Sequence, residues 1–280
     1  MNHKILKNGF SLPEIGLGTG GNQSIVSNDT EWKQAIQDAL AIGYRHIDCA
    51  PMYANGRAEE LVGEAIKGVE RAELILSTKV SPAELAYDDA IASVQSSLSR
   101  LGVEYIDLLY IHAPNPNISL SETMRAMDTL VDRGIVKYLG VSNFNLELLI
   151  EAQSLTKNKI VANQIEYNLA TREQSHFEGC DHMESKIIPY CQENDVLVVA
   201  YRPVDRGSIL ETNPLLDNLA EKYKKTKAQI AINWLISQDN IVTIPRSDSY
   251  SHLKENFEAS GWYLDKEDNE FLKREYPTRG

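Results

Sequence analysis

Eight short apolar runs are spaced along the chain, at 14–18, 44–49, 74–80, 106–112, 136–141, 162–167, 196–201 and 241–245. They are rich in Ile, Leu, Val and Tyr and lack polar/apolar alternation over much of their length. That is the pattern of strands covered on both faces of a parallel sheet. Between them, apolar residues recur at helical spacing. Ile91, Val94, Leu98 and Leu101 share one face, and Gly102 follows as a C-terminal stop. Segment 120–133 is closed by Gly134 in the same way, and 29–41 carries a further helical pattern. Thr226-Lys227-Ala228-Gln229 has the form of a capping box, opening a helix that sets Ile230 and Trp234 on one face. This alternation of strands and helices predicts an α/β protein: a (β/α)8 TIM barrel, one domain over residues 1–280, with a short N-terminal hairpin.

A doubly wound open sheet is the rival, and Gly16-Leu17-Gly18-Thr19-Gly20-Gly21 matches its G-x-G-x-x-G fingerprint. The context fails the match. A dinucleotide turn leads straight into a helix, whereas here residues 22–28 intervene before the helical pattern begins. The glycines fit better as a close backbone approach at a barrel mouth.

Composition narrows the class. The 280 residues are 42% apolar and 24% charged, which excludes a disordered chain. A net charge of −12 argues against nucleic-acid or anionic-membrane partners, since so acidic a protein repels phosphate. Three cysteines, Cys49, Cys180 and Cys191, are too few for a disulfide framework and point to a reducing compartment. The opening heptad lacks the apolar run of a signal peptide, and no stretch reaches the roughly 18 apolar residues of a membrane helix. A cytoplasmic monomer is the expectation.

In a (β/α)8 barrel the active site gathers where strands end at the C-terminal face. Asp48 lies near the end of the second predicted strand, Tyr53 in the loop after it, Lys79 at the end of the third and His112 at the end of the fourth. Taken singly, each reads most simply as a turn, packing or rim residue. Together they converge on one pocket with a chemical meaning. An adjacent ammonium favours ionisation of a phenol, and a carboxylate holds that ammonium charged and in place. Asp48, Lys79 and Tyr53 therefore make a relay in which Tyr53 acts as general acid. His112 donates to the same oxygen. Protonating an oxygen with no metal and no nucleophile nearby is what carbonyl reduction requires, the hydride coming from a cofactor.

At these residues the chain resembles the aldo-keto reductase family, nearly end to end. The family's Asp–Tyr–Lys–His tetrad falls on Asp48, Tyr53, Lys79 and His112. Gly140-Val141-Ser142-Asn143-Phe144 is similar to its nicotinamide-amide site, which implies Ser142 and Asn143 as ligands, and Asn163-Gln164-Ile165-Glu166-Tyr167 adds Gln164. Tyr201 stands where the family stacks an aromatic ring on the nicotinamide. The segment with Arg246 and Ser247 resembles the site for the adenosine 2′-phosphate, and Asn256 matches the adenine contact. His252 replaces the arginine that many members place on that phosphate. The resemblance implies NADP(H) as the favoured cofactor with NAD(H) as the alternative, and a small carbonyl or alcohol as substrate.

Two departures bear on the substrate pocket, whose expected lining includes Gly20, Met52, Tyr53, His112 and Ala113. Gly20 and Ala113 occupy positions where the family often carries Trp, so a wider, less aromatic mouth is expected. The loops at 171–181 and 205–213 are the segments able to supply replacement walls. His176, Cys180, Asp181 and His182 are spaced like a partial metal set but read better as a polar loop, and no metal is expected. Two other functions compete with the reductase. One is an NADP-holding sensor or auxiliary barrel with little turnover, against which the intact tetrad argues. The other is a Schiff-base enzyme using Lys79, which Asp48 opposes by keeping the amine protonated.

Overall fold

A computed structural model describes residues 1–20, 28–211 and 213–278. The chain opens with the expected hairpin, β1 (His3–Ile5) antiparallel to β2 (Ser11–Pro13). Eight parallel strands follow, each beside its predecessor in the sheet. They are β3 (Leu17–Gly18), β4 (His46–Asp48), β5 (Ile75–Val80), β6 (Ile106–Ile111), β7 (Val136–Ser142), β8 (Ile160–Glu166), β9 (Leu197–Tyr201) and β10 (Ile241–Thr243). The first and last strands meet. Thr243 N donates to Glu14 O (2.9 Å), Gly16 N to Thr243 O (2.8 Å) and Gly18 N to Pro245 O (3.1 Å), which closes the barrel.

All eight apolar runs become strands, with some ends displaced. The run at 44–49 contributes only His46–Asp48. Tyr44 is withdrawn from it because its ring packs against Phe257 at 5.2 Å and its hydroxyl donates to Leu253 O at 2.9 Å. The run at 14–18 keeps two residues in the ladder, the rest serving closure. Gly18 has a packing reason, since a Cβ there would stand 2.6 Å from the Ile244 carbonyl oxygen. The fingerprint glycines thus serve strand contact. Its last member, Gly21, lies outside the described residues.

The outer layer contains α1 (Asp29–Ile42), α2 (Arg57–Ala65), α3 (Tyr87–Leu101), α4 (Leu120–Asp132), α5 (Leu146–Ser154), α6 (Ile188–Glu193), α7 (Pro214–Tyr223), α8 (Lys227–Ile236), α9 (Tyr250–Phe257) and α10 (Lys266–Glu275). The sequence signals for their ends hold. Gly102 takes the left-handed conformation at the end of α3 (φ 65°), and Thr226 with Gln229 forms the capping box of α8. Apolar side chains fill two shells. One lies between strands and helices. The other fills the barrel interior, where Leu6, Phe10 and Leu12 of the hairpin region meet Leu108, Tyr110, Val199 and Val242. The hairpin side of the barrel is therefore plugged, which leaves the C-terminal strand ends as the place for chemistry. No helix among the described residues is long and apolar enough to cross a membrane.

Candidate active site

Four strand ends bring the polar residues together. Lys79 on β5 is completely buried, and its Nζ donates to Asp48 Oδ1 at the end of β4 (2.5 Å) and to the Cys49 carbonyl (2.9 Å). Asp48 is held from both sides. Thr19 donates to its backbone carbonyl through N (3.0 Å) and Oγ1 (2.9 Å), and Gln164 Nε2 donates to its Oδ2 (2.9 Å). Burial works against a charged Lys79, but the Asp48 carboxylate overrides it and raises the amine above its ordinary value. Lys79 is thus a fixed ammonium.

Tyr53 follows β4 in a tight turn at Tyr53–Gly56, in which Ala54 and Asn55 both adopt positive φ (50° and 53°). Its ring stands edge-on to His112, centroids 5.7 Å apart, and Lys79 Nζ lies 5.0 Å from its centre. The sequence reading has Lys79 lowering the Tyr53 pKa. Lys79 does pull in that direction, but burial is the larger effect and the phenol ends above its ordinary value. His112 follows β6, its N–H bonded to Val80 O (3.0 Å). Burial and the Lys79 charge push its imidazole down to about 3, so the ring is neutral. Its Nδ1 is buried without a partner among the described residues. An unpaired lone pair is less costly there than an unpaired N–H, which assigns the proton to Nε2.

The expected carboxamide ligands adjoin this group. Ser142 and Gln164 are register partners on β7 and β8. Asn143, in the left-handed region (φ 60°), donates from Nδ2 to Ser142 Oγ and to His112 O (both 3.1 Å) and accepts from Tyr201 Oη (2.9 Å). Hydroxyl, amide N–H and amide oxygen are all present here, the set a primary carboxamide needs, so the residues fit a nicotinamide. Arg246 lies past β10, stacked on Trp32 at 4.2 Å and donating to Gly20 O (2.8 Å). Ser247 accepts from Ser249 N (3.1 Å), while Asn256 is buried and His252 exposed on α9. This group stands along the segment leading from β10 into α9, ordered as the chain is.

The pocket residues are placed unevenly. Met52 is exposed at the rim, and Gly20 touches Tyr53 so closely that a Cβ would lie 2.8 Å from its Cζ. The space beside Gly20 is thus filled by the Tyr53 ring itself. Ala113, directly after His112, is only 4% exposed. The loop at 171–181 is fastened at the barrel end. Buried Glu166 accepts from Ser175 Oγ (3.1 Å), His176 N (3.0 Å) and Arg202 Nη1 (2.9 Å), and pairs with His176 Nδ1 (3.0 Å). The partial metal set is thereby dispersed. His176 is committed to Glu166, and burial pushes the Cys180 thiol up to about 12, away from a ligating thiolate. Sequence reasoning missed Trp32 and Tyr110. Tyr110 was legible from its place in the fourth apolar run, two residues before His112, the spacing that sets two side chains on the same face.

The model of the Aldo/keto reductase family matches residues 14–274, and the chain belongs to that family of oxidoreductases. Among its relatives, the glyoxal reductase of Bacillus subtilis is 32% identical over 265 residues, covering 94% of this chain and 88% of that protein. The methylglyoxal reductase YeaE of Escherichia coli is 29% identical over 273 residues, covering 96% and 92%. The crystal structure of the thermostable aldo-keto reductase Tm1743 with epalrestat superposes with a TM-score of 0.89 at 37% identity, covering 98% of this chain and 99% of that one. An aldo/keto reductase from Klebsiella pneumoniae, solved with NADP and acetate, gives 0.87 at 29% identity, covering 100% and 97%.

Proposed function

We propose that the protein reduces an aldehyde or ketone to an alcohol with NADPH, Tyr53 acting as general acid. The observation that carries this reading is one continuous polar cluster. It runs from Tyr53 and Lys79 through Asp48 to Gln164, which lies beside Ser142 and Asn143. A proton-donating group and a carboxamide cradle thus share a side chain. Ser142, Asn143 and Gln164 hold the nicotinamide, Tyr201 flanks it, and Arg246 and Ser247 take the 2′-phosphate, which favours NADP over NAD. When bound, the cofactor supplies a hydride to the carbonyl carbon. His112 donates from Nε2 to the carbonyl oxygen and orients it, and Tyr53 gives that oxygen its proton. Lys79, charged and immobile, stabilises the phenolate left behind. Its ion pair with Asp48 also removes it from Schiff-base chemistry, which needs a neutral amine.

The named relatives act on small dicarbonyls, so glyoxal and methylglyoxal head the substrate panel. Loss of NADPH absorbance with that panel tests the reading. Tyr53→Phe is expected to lower kcat by on the order of 10²–10⁴-fold while leaving NADPH affinity near wild type, because the phenol acts only on the reacting oxygen. Wild-type protein that binds NADPH but turns over none of the carbonyls would favour the sensor. A Tyr53→Phe variant with half the native rate would place the acid elsewhere.

A further inference from the structure

Arg246 is held at three points by three parts of the fold. Just before it, Pro245 O accepts from Gly18 N (3.1 Å), one of the contacts that close the barrel. Its Nη1 donates to Gly20 O (2.8 Å), and its guanidinium carbon lies 4.2 Å from the centre of the Trp32 ring on α1. The first two contacts fall on backbone atoms, which any residue at those positions supplies. The third depends on one side chain.

Trp32 offers more than its place in the core requires. The buried face of α1 is Trp32, Ala35, Ile36, Ala39 and Leu40, so an aliphatic residue in the first turn would continue it equally well. An indole adds a flat, electron-rich face that attracts a cation, the strongest such face among the side chains. A guanidinium lying over that face keeps its N–H groups at the edges, where they can meet a phosphate. Burial works against the Arg246 charge, and the Asp248 carboxylate supports it from a distance without forming an ion pair. The orientation of the guanidinium is therefore set by the ring and by Gly20 O, and not by an acidic partner among the described residues. A long side chain ordered in advance is not immobilised at the cost of binding.

We propose that Trp32 is a positioning residue for Arg246 and, through it, a determinant of the preference for NADP over NAD. Its ring holds the guanidinium in the orientation in which the 2′-phosphate meets it. The inference rests on the assignment of Arg246 to that phosphate given above. NADH, which carries a hydroxyl in place of the phosphate, gains little from an oriented cation. The preference then depends on what stands at position 32, a residue outside the segment that would touch the phosphate.

The test uses the full chain and measures Kd for NADPH and for NADH by nicotinamide fluorescence. Trp32→Leu keeps an apolar side chain without the face, and the ratio of the two affinities should fall about five- to tenfold, nearly all of it on the NADPH side. Trp32→Phe keeps a weaker face, and the ratio should fall only about two- to threefold. A merely structural tryptophan would instead weaken both cofactors by the same factor. In an Arg246→Ala background, Trp32→Leu should leave the ratio where Arg246→Ala alone puts it, since the two act through one contact. An unchanged ratio in Trp32→Phe would overturn the proposal even if Trp32→Leu failed to fold. So would a further fall of the ratio in the Arg246→Ala background. In either case wild-type protein would still prefer NADPH, and the cofactor reading would stand. Wild-type protein that binds NADPH and NADH equally would overturn both.

Discussion

His112 and Tyr53 stand edge to face beside Lys79, and the protein sets them in the same charge state at neutral pH. Burial and the Lys79 charge hold the imidazole down to about 3, while burial raises the phenol. Of the two neutral groups the phenol releases its proton far more readily than a neutral imidazole N–H does, so in the proposed reaction the phenol serves as the acid. The kcat for reduction should stay level between about pH 5 and 8, with no limb near the ordinary histidine value of 6.5. Alcohol oxidation, which needs the phenolate, should instead rise with pH. A reduction limb centred near the ordinary histidine value would show that His112 carries the proton. Arg246 raises a separate question. Its guanidinium lies on Trp32 and against Gly20 O, a fixed fork of N–H donors ready for a phosphate. Arg246→Ala should weaken NADPH binding about ten- to a hundredfold and NADH binding much less. Equal losses for the two cofactors, measured by fluorescence titration, would move the 2′-phosphate to other residues.

The strands were legible because parallel strands covered on both faces leave uninterrupted apolar runs, and the four polar residues because Asp48, Lys79 and His112 stand at the ends of successive strands with Tyr53 in the loop after the first of them. The helix stop at Gly102 and the helix start at Thr226 were legible for an equally local reason, as capping depends on neighbours in the chain. What escaped depends on pairs far apart in sequence. Glu59 on α2 is fully buried because Thr78 on β5 donates to it at 2.5 Å and Arg100 on α3 at 2.6 Å, three elements that no spacing connects. The close approach of Tyr53 to Gly20 was not legible for the same reason, because a glycine shows what is missing from its own position and not which ring stands beside it. Gly63 gives this element-level packing a direct test. It lies on α2 where a Cβ would be 2.6 Å from the Leu101 carbonyl oxygen at the end of α3. That neighbour is backbone and cannot turn aside. Gly63→Ala gains helix propensity worth about 1 kcal/mol, but the forced separation of α2 and α3 should outweigh it, for a net loss of about 1–2 kcal/mol. Urea unfolding checks this, and a stabilised variant would show that the two helices separate freely.

For the molecule as a whole, the polar interior makes stability depend on pH on the acid side. His46 lies on β4 two residues before Asp48, wholly buried, its Nε2 paired with Ser77 Oγ at 2.7 Å and its Nδ1 without a partner among the described residues. Burial pushes it down to about 4, and His112 to about 3, from 6.5. Both rings are therefore neutral when folded and take up protons near pH 6.5 when unfolded. Between that value and the folded ones the unfolded chain binds more protons, so stability falls as pH falls. The stabilisation is complete above about pH 6.5 and is lost at about 1.4 kcal/mol per pH unit for each ring. Between pH 6.5 and 5 the two should together remove on the order of 4 kcal/mol, a large share of the roughly 5–15 kcal/mol that holds a typical domain together. Urea unfolding at pH 7, 6 and 5 should show that decline. His46→Gln, which keeps a polar group opposite Ser77, should be less stable than wild type at pH 7 yet lose stability only about half as steeply on acidification. An unchanged slope in His46→Gln would mean that His46 is already protonated in the folded barrel, or that the acid sensitivity lies in other groups.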